Sequence, residues 1–114
     1  MGVIGPHEGK ELEFMLNGKK NIALFYSDYN IPDEFLPFLD KKIFELKEVN
    51  LANGFVYYII YKAEYINDVN ILISLLKNSS GDFYPDLERK IGQLLGYDND
   101  DIEFYIKHCL DLKR

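Results

Sequence analysis

Cysteine is nearly absent from this chain, since Cys109 is the only one among 114 residues. A single thiol cannot form a disulfide within one chain, and no Cys–His spacing typical of a zinc site accompanies it. The sequence therefore excludes a disulfide-stabilised domain and predicts neither a metal ion nor another cofactor. One unpaired thiol is also typical of a protein from a reducing compartment.

Long hydrophobic runs are missing as well. No apolar stretch approaches the roughly 20 residues that cross a bilayer. The first six residues contain no basic residue and end at Pro6, which is unlike a secretory signal. Lysine greatly outnumbers arginine, and Ile and Asn are frequent, as in proteins of AT-rich bacteria. We therefore expect one domain over residues 1–114 in the bacterial cytoplasm, with delivery into a host cytosol as the alternative, and no membrane contact.

Positive charge is in deficit, with 13 basic against 19 acidic residues and a net charge of −6. Nucleic-acid binding depends on Lys and Arg that neutralise phosphates. Lys19–Lys20 and Lys41–Lys42 are basic pairs, and both lie beside predicted turns. The charge balance predicts no nucleic-acid partner and favours a protein partner with a basic surface.

Aromatic residues are abundant instead, with nine Tyr and eight Phe. Tyrosine combines an apolar ring with a polar tip, so it serves both protein cores and protein–protein contacts. No catalytic motif accompanies this surplus. The combination favours a binding protein over an enzyme.

The hydrophobic pattern predicts an α+β fold. The predicted helices cover residues 6–17, 33–39, 65–77, 86–95 and a last segment capped by Asp98 or Asn99, and the predicted strands cover 22–26, 43–51 and 55–62. We expect a three-stranded antiparallel sheet with a central hairpin, packed on one face against four to five helices. The first strand is apolar on both faces, which predicts a central position in the sheet.

Asn53–Gly54 is a strong signal for a two-residue hairpin turn, because both residue types tolerate positive φ. A two-residue turn places Leu46 opposite Tyr61. It also places Glu45 opposite Lys62, as an opposite-charge pair across the strands.

His7, Glu8 and Glu11 form the best candidate for acid–base chemistry. They fall on the first turns of the first predicted helix, where carboxylates are also favoured by the helix dipole. His108 and Cys109 are adjacent on a helix, so their side chains diverge and cannot act as a dyad. We expect Cys109 to be buried and unreactive.

The acidic turn Asp98–Asp101 lacks the Gly and Glu positions of a calcium loop, so it predicts a solvated helix start. Gly92 lies inside a predicted helix, which indicates close packing against a neighbour. Tyr97 precedes the turn, and Phe104 falls off the apolar stripe of the last helix. We therefore predict a partner-binding surface made of Tyr97, Asp98, Asp100, Asp101 and Phe104.

Two segments carry a resemblance. The opening segment, residues 7–20 running into 22–25, and the closing Gly92–Tyr97 segment resemble those of a family of small bacterial proteins without an assigned activity. The size, acidity and order of elements are also similar to small bacterial inhibitors that silence ubiquitin-directed transglutaminase or deamidase effectors. The resemblance implies an inhibitor and transfers no catalytic residue.

Three functions follow as hypotheses. The first is a non-enzymatic regulator that binds and blocks a partner protein, as inhibitors and immunity proteins do. The second is a small hydrolase or transferase using His7 with Glu8 or Glu11. The third is a structural homo-oligomer, such as a homodimer, assembled through the apolar helix 65–77.

Overall fold

A computed structural model describes residues 7, 9–26, 31–51, 54, 56–78 and 84–112. Within them the chain forms three antiparallel strands and five α-helices, which confirms the predicted α+β class. The strands are β1 (Ile22–Tyr26), β2 (Glu45–Asn50) and β3 (Val56–Tyr61), and the helices are α1 (Glu11–Leu16), α2 (Leu36–Asp40), α3 (Ile66–Asn78), α4 (Pro85–Leu94) and α5 (Asn99–Leu112). Short 3₁₀ turns, Asp33–Phe35 and Ala63–Tyr65, lead into α2 and α3. None of the helices in these ranges has the length and apolar character needed to cross a membrane.

The central strand of the sheet is β3, with β1 and β2 on its two sides. The prediction that β1 is central is wrong, because β1 is an edge strand. Its apolar character has another cause. Successive side chains of a strand point to opposite faces, and both Ile22 and Ala23 are buried. The sheet is therefore covered on both faces, and the prediction of helices on one face alone is also wrong.

Two hydrophobic cores occupy the two faces. The C-terminal core joins the sheet to α3 and α4, and its buried members are Ile22, Val49, Leu51, Ile59, Tyr61, Val69, Leu72, Leu76, Ile91 and Leu95. The N-terminal core joins the opposite face to α1 and the first 3₁₀ turn, with Met15, Ala23, Phe25, Phe35, Phe44 and Ile60 buried in it. Because Ile59 and Ile60 belong to different cores, a shift of β3 by one residue would exchange the two sets.

The hairpin register differs from the prediction by one residue. Glu45 pairs with Tyr61 rather than with Lys62, and Leu46 pairs with Ile60. The last pair is Asn50 with Val56, so an odd number of residues lies between them, whereas a two-residue turn needs an even number. Gly54 does have the predicted positive φ, 90°, and Asn53 lies outside the described residues. The predicted Glu45–Lys62 pair is absent, since the Lys62 ammonium donates to Oδ1 of Asn21 at 3.0 Å.

The first helix begins later than predicted. Gly9 has a φ of 77°, a left-handed conformation that cannot continue a right-handed helix, and α1 starts only at Glu11. Pro6 and Glu8 lie outside the described residues. Gly18 follows the helix end with a φ of 86°, as expected for a glycine just past a C-terminus. The N-terminal shift leaves His7 in a turn, away from the axis of α1.

Candidate functional site

The helices α4 and α5 form a closely packed hairpin. A Cβ atom on Gly92 would lie 2.8 Å from Cγ1 of Ile102. This distance is shorter than real carbon contacts, so the helices meet where only glycine fits, as predicted. Gly96 ends α4 with a φ of 84°. The contact between Gly92 and Ile102 therefore fixes how closely α5 packs against α4.

An ion-pair bridge holds the outer side of the hairpin. Arg89 on α4 donates from Nε to Oε2 of Glu103 at 2.8 Å and from Nη2 to Oε1 at 3.1 Å, and from Nη1 to Asp86 at 2.9 Å. The hydrogen bond and charge of Arg89 lower the pKa of the Glu103 carboxyl. The two-point contact fixes the orientation of the helices more than it adds stability, because the pair is exposed.

Three of the predicted partner-binding residues share the outer face of α5. Asp100 and Asp101 lie four and three residues before Phe104, a spacing that brings side chains together on a helix. The opposite face holds Ile102 and Ile106, which are 4% and 2% exposed. Phe104 remains 37% exposed, so its ring and the neighbouring carboxylates form a mixed apolar and acidic surface.

Tyr97 and Asp98 are placed differently. Asp98 is exposed at the start of α5, and its carbonyl accepts the Ile102 N–H at 3.0 Å. Tyr97 is half-buried, and its ring centroid lies 4.3 Å from that of His7. Tyr97 therefore anchors the turn to the N-terminal part of the chain instead of joining the exposed face.

A buried lysine lies beneath that turn. Lys20 is 2% exposed and His7 is 3% exposed. The Lys20 ammonium contacts Nδ1 of His7 at 3.1 Å and donates to the carbonyl of Leu95 at 2.6 Å. It also lies 4.9 Å from the ring centroid of Tyr97, which is within the range of a cation–π contact. Two acceptors and one aromatic face thus surround the three N–H groups of the ammonium.

This bonding fixes the protonation state of His7. An ammonium group can only donate, so Nδ1 of His7 must accept, and the proton of the neutral ring resides on Nε2. Burial is the main cause that lowers the pKa of His7 from 6.5 to about 4, and the charges of Lys20 and Lys19 add to it. Burial likewise lowers the pKa of Lys20 from 10.5 to about 8.

The arrangement supports a structural role for this cluster. An amine with a lowered pKa is a potential nucleophile, but Lys20 is almost fully enclosed and its donors are committed. The Leu95 carbonyl is at the C-terminal end of α4, where a cation is favoured by the helix dipole. Sequence reasoning missed Lys20, because a Lys–Lys pair after a glycine is typical of a solvated turn.

A second group that sequence reasoning missed is a tyrosine cluster around Glu88. Tyr26 on β1 pairs with Tyr57 on β3, and their ring centroids are 5.0 Å apart. Glu88 on α4 raises the pKa of Tyr57, in addition to the larger effect of burial. Burial, a hydrogen bond with Cys109 and the charge of Glu88 raise the pKa of Tyr105.

One prediction for α5 is corrected here. Cys109 is half-buried rather than buried, and Tyr105 on the same helix is 40% exposed. The reason is that the inner face of α5 is narrow and is filled by Ile102 and Ile106, so residues at its flank reach the surface.

A shallow groove of about 500 Å³ lies along α1. It is open to solvent, and its lining is formed by Gly9, Leu12, Glu13, Leu16, Asn17 and Glu34. His7 does not line it. Across the described ranges, no group of three or more His, Cys, Asp or Glu side chains is arranged to hold a metal ion.

Comparisons with protein-family models, with curated proteins and with solved structures found no match for the chain. The resemblance of the opening and closing segments to small bacterial proteins therefore stays a prediction from the sequence.

Proposed function

We propose that the protein is a non-enzymatic regulator that binds another protein, as an inhibitor or an immunity protein does. The observation that carries this proposal is the exposed ring of Phe104 beside Asp100 and Asp101 on the outer face of α5. Aromatic side chains on a rigid support are frequent energetic centres of protein interfaces. The close packing of Ile102 on Gly92 provides that support.

The charge of the chain favours a partner with a basic surface. The net charge is −6, and α5 begins with Asp100 and Asp101 in its first turn. Acidic groups at the rim of an interface accelerate association with a basic partner, and salt reduces this effect. We do not expect nucleic acid or a membrane as the partner, and we place the protein in the bacterial cytoplasm as part of the same proposal.

The hydrolase or transferase alternative gains little from the geometry. His7 is buried, and its Nδ1 lies 3.1 Å from the Lys20 ammonium, so this nitrogen is occupied. A general base needs an accessible nitrogen within reach of its substrate. Glu11 is half-buried and its charge acts on Lys20, while Glu8 lies outside the described residues.

The homo-oligomer alternative rests on α3. Its inner stripe, Val69, Leu72 and Leu76, is buried in the C-terminal core, and Ile71 on the outer side is 44% exposed. One exposed isoleucine is a small apolar surface for a stable dimer, which usually buries about 800 Å² on each partner. Sedimentation velocity at micromolar concentration separates this alternative from a monomer that binds another protein.

The test of the proposed function begins with recovery of a partner. Immobilised protein is exposed to lysates of its own organism, and of a host cell, at low and moderate salt. Against the recovered partner, Phe104→Ala should accelerate dissociation, whereas replacing Asp100 and Asp101 together by Lys should slow association and weaken its salt dependence. Lys41→Ala, at an exposed position that follows α2 and lies outside α5, serves as the surface control. Recovery of no partner, or unchanged rates in both folded variants, contradicts the proposal.

A further inference from the structure

The groove along α1, called the α1 groove below, combines apolar and acidic lining. Leu12 and Leu16 are four residues apart, so their side chains lie together on one face of the helix. Leu12 is half-buried and packs against the N-terminal core, whereas Leu16 is 55% exposed. Glu13 and Glu34 line the same groove and are both exposed. The α1 groove therefore offers an apolar strip and two carboxylates to solvent.

The shape of the α1 groove suits a segment of another protein better than a small molecule. Its volume is about 500 Å³, and it is shallow and open to solvent. Small-molecule sites usually enclose most of the surface of their ligand, which an open groove cannot do. A Cβ atom built on Gly9 would meet no atom within 4 Å, so this part of the lining leaves room for an approaching chain.

The charge of the lining indicates which kind of segment fits. Both carboxylates belong to elements without a basic residue, because α1 carries Glu11 and Glu13 and the first 3₁₀ turn carries Asp33 and Glu34. Within the described part of the chain, neither Glu13 nor Glu34 forms an ion pair. Lysine or arginine side chains of a bound segment are therefore attracted to the groove, in agreement with the net charge of −6.

A second copy of the chain is a poorer occupant of the α1 groove. In a two-fold contact, Glu13 and Glu34 of one copy would approach the same carboxylates of the other, and like charges repel. Leu16 is the strongly exposed apolar side chain of the lining. One leucine on each copy is a small apolar surface for a stable dimer, which usually buries about 800 Å² on each partner.

We propose that the α1 groove binds an extended segment of the partner protein in which lysine or arginine residues flank one apolar side chain. The apolar side chain contacts Leu12 and Leu16, and the basic side chains pair with Glu13 and Glu34. Side chains two residues apart point to the same side of an extended chain. The matching segment therefore carries its basic residues two positions before and two positions after the apolar one.

Asn17 supplies a contact for the backbone of the segment. Its Oδ1 accepts the Lys19 N–H at 2.9 Å, which leaves the NH₂ group of its amide as a donor for a backbone carbonyl. The inference rests on the proposed function only in assigning the segment to the partner protein. The residues that line the α1 groove do not include any of α5, so this contact is additional to the surface around Phe104.

The experiment uses the full chain and a synthetic probe, the peptide acetyl-Lys-Ala-Leu-Ala-Lys-amide. The peptide is titrated at pH 7 and low salt, and we expect saturable amide NMR shifts centred on Leu12, Leu16 and Asn17. Two control peptides separate the contributions. Serine in place of leucine should weaken binding about fivefold, and glutamine in place of both lysines should weaken it about threefold or more. High salt should remove the difference between the lysine and glutamine peptides.

Variants of the protein locate the site. Replacing Glu13 and Glu34 together by Gln should weaken binding of the lysine peptide about threefold or more and leave the glutamine peptide unchanged. Glu48→Gln combined with Glu64→Gln is the matched control, because it removes two exposed carboxylates outside the groove and changes the net charge equally. Leu16→Gln should weaken both peptides about threefold. All the replaced side chains are exposed, so the variants should fold, and their amide spectra verify this.

Three results of the titration overturn the proposal: equal binding of the lysine and glutamine peptides, equal effects of the two double variants, or shifts centred outside the α1 groove. Self-association that Leu16→Gln abolishes would assign the groove to a second copy and would also overturn it. Because the titration contains no partner protein, its failure leaves the α5 interface standing. Failure to recover a partner contradicts the proposed function and leaves peptide binding in the α1 groove as a separate result.

Discussion

Two charged groups below the surface of this protein have opposite surroundings. The Lys20 ammonium contacts His7, the Leu95 carbonyl and the ring of Tyr97. The Glu88 carboxylate is half-buried, and burial raises its pKa. A buried charge with several polar partners belongs to the structure itself. A half-buried charge whose pKa is raised by burial is expected to contribute less to stability.

Of the substitutions considered, removal of the Lys20 ammonium should lower the free energy of unfolding most. Lys20→Met keeps the length of the side chain but leaves Nδ1 of His7 and the Leu95 carbonyl without a donor. We expect the free energy of unfolding to fall by about 3 kcal/mol. Urea denaturation at pH 7 measures it. Lys19→Met is the control, because Lys19 is exposed and its ammonium lies 4.6 Å from the centroid of the Phe14 ring. Equal stability of the two variants would refute a structural role for Lys20.

Lowering the pH should destabilise the cluster of His7 and Lys20. His7 has its pKa lowered to about 4, against 6.5 in an unfolded chain. Between these values the unfolded state binds a proton that the folded state rejects, so the free energy of unfolding falls as the pH falls from 6.5 towards 4. We expect a contribution of about 2 kcal/mol between pH 7 and pH 4, which is below the limiting value because nearby solvent screens the charge.

Burial sets the sign of this effect, and the charged groups around His7 change its size. Lys20 and Lys19 lower the pKa of His7 further, and Asp98 and Asp101 raise it. His7→Asn keeps an acceptor near the position of Nδ1 and does not titrate. Urea midpoints of both proteins from pH 7 to pH 4 should therefore diverge, with the variant losing less stability. Parallel curves would exclude His7 as the titrating group.

The packing of the hairpin should be sensitive to one methyl group. Gly92→Ala introduces a Cβ too close to Ile102, and we expect a loss of about 1 to 2 kcal/mol even though alanine favours the helix. Thermal unfolding of Gly92→Ala, Ile102→Ala and the double variant measures the coupling between the positions. If the losses simply add, the close contact is not the cause.

Replacing Glu88 should change the free energy of unfolding least. Glu88→Gln removes a carboxylate whose pKa is raised by burial, so at pH 7 we expect no loss and a gain of at most about 1 kcal/mol. Glu103→Gln, which breaks the exposed pair with Arg89, should instead lower the stability slightly. A clear destabilisation by Glu88→Gln would show that this carboxylate is structural, like Lys20, and would remove the contrast between the two charges.

Local sequence signals predicted much of the fold. The apolar run from Ile22 to Tyr26 is a strand with the predicted bounds, and Gly92 marks the close helix contact. The predicted register of the hairpin was wrong by one residue, because Asn–Gly is compatible with loops of more than one length. Register depends on which side chains reach each core, and that is decided by helices far along the chain.

The candidate site was predicted less completely. Asp100, Asp101 and Phe104 share a face because helical spacing alone requires it. Lys20 escaped prediction because its burial depends on a carbonyl that the chain brings close only after folding. The cluster of Tyr26, Tyr57 and Glu88 likewise depends on strand pairing and on the placement of α4, which neighbouring residues do not encode.

The bond between Lys20 and Leu95 also bears on the lifetime of the folded molecule. It joins residues 75 positions apart, so it closes a long loop whose entropic cost opposes early formation. Interactions formed after the folding transition state mainly slow unfolding and have little influence on the folding rate. We therefore expect the Lys20 ammonium to slow unfolding of the native state more than it accelerates folding.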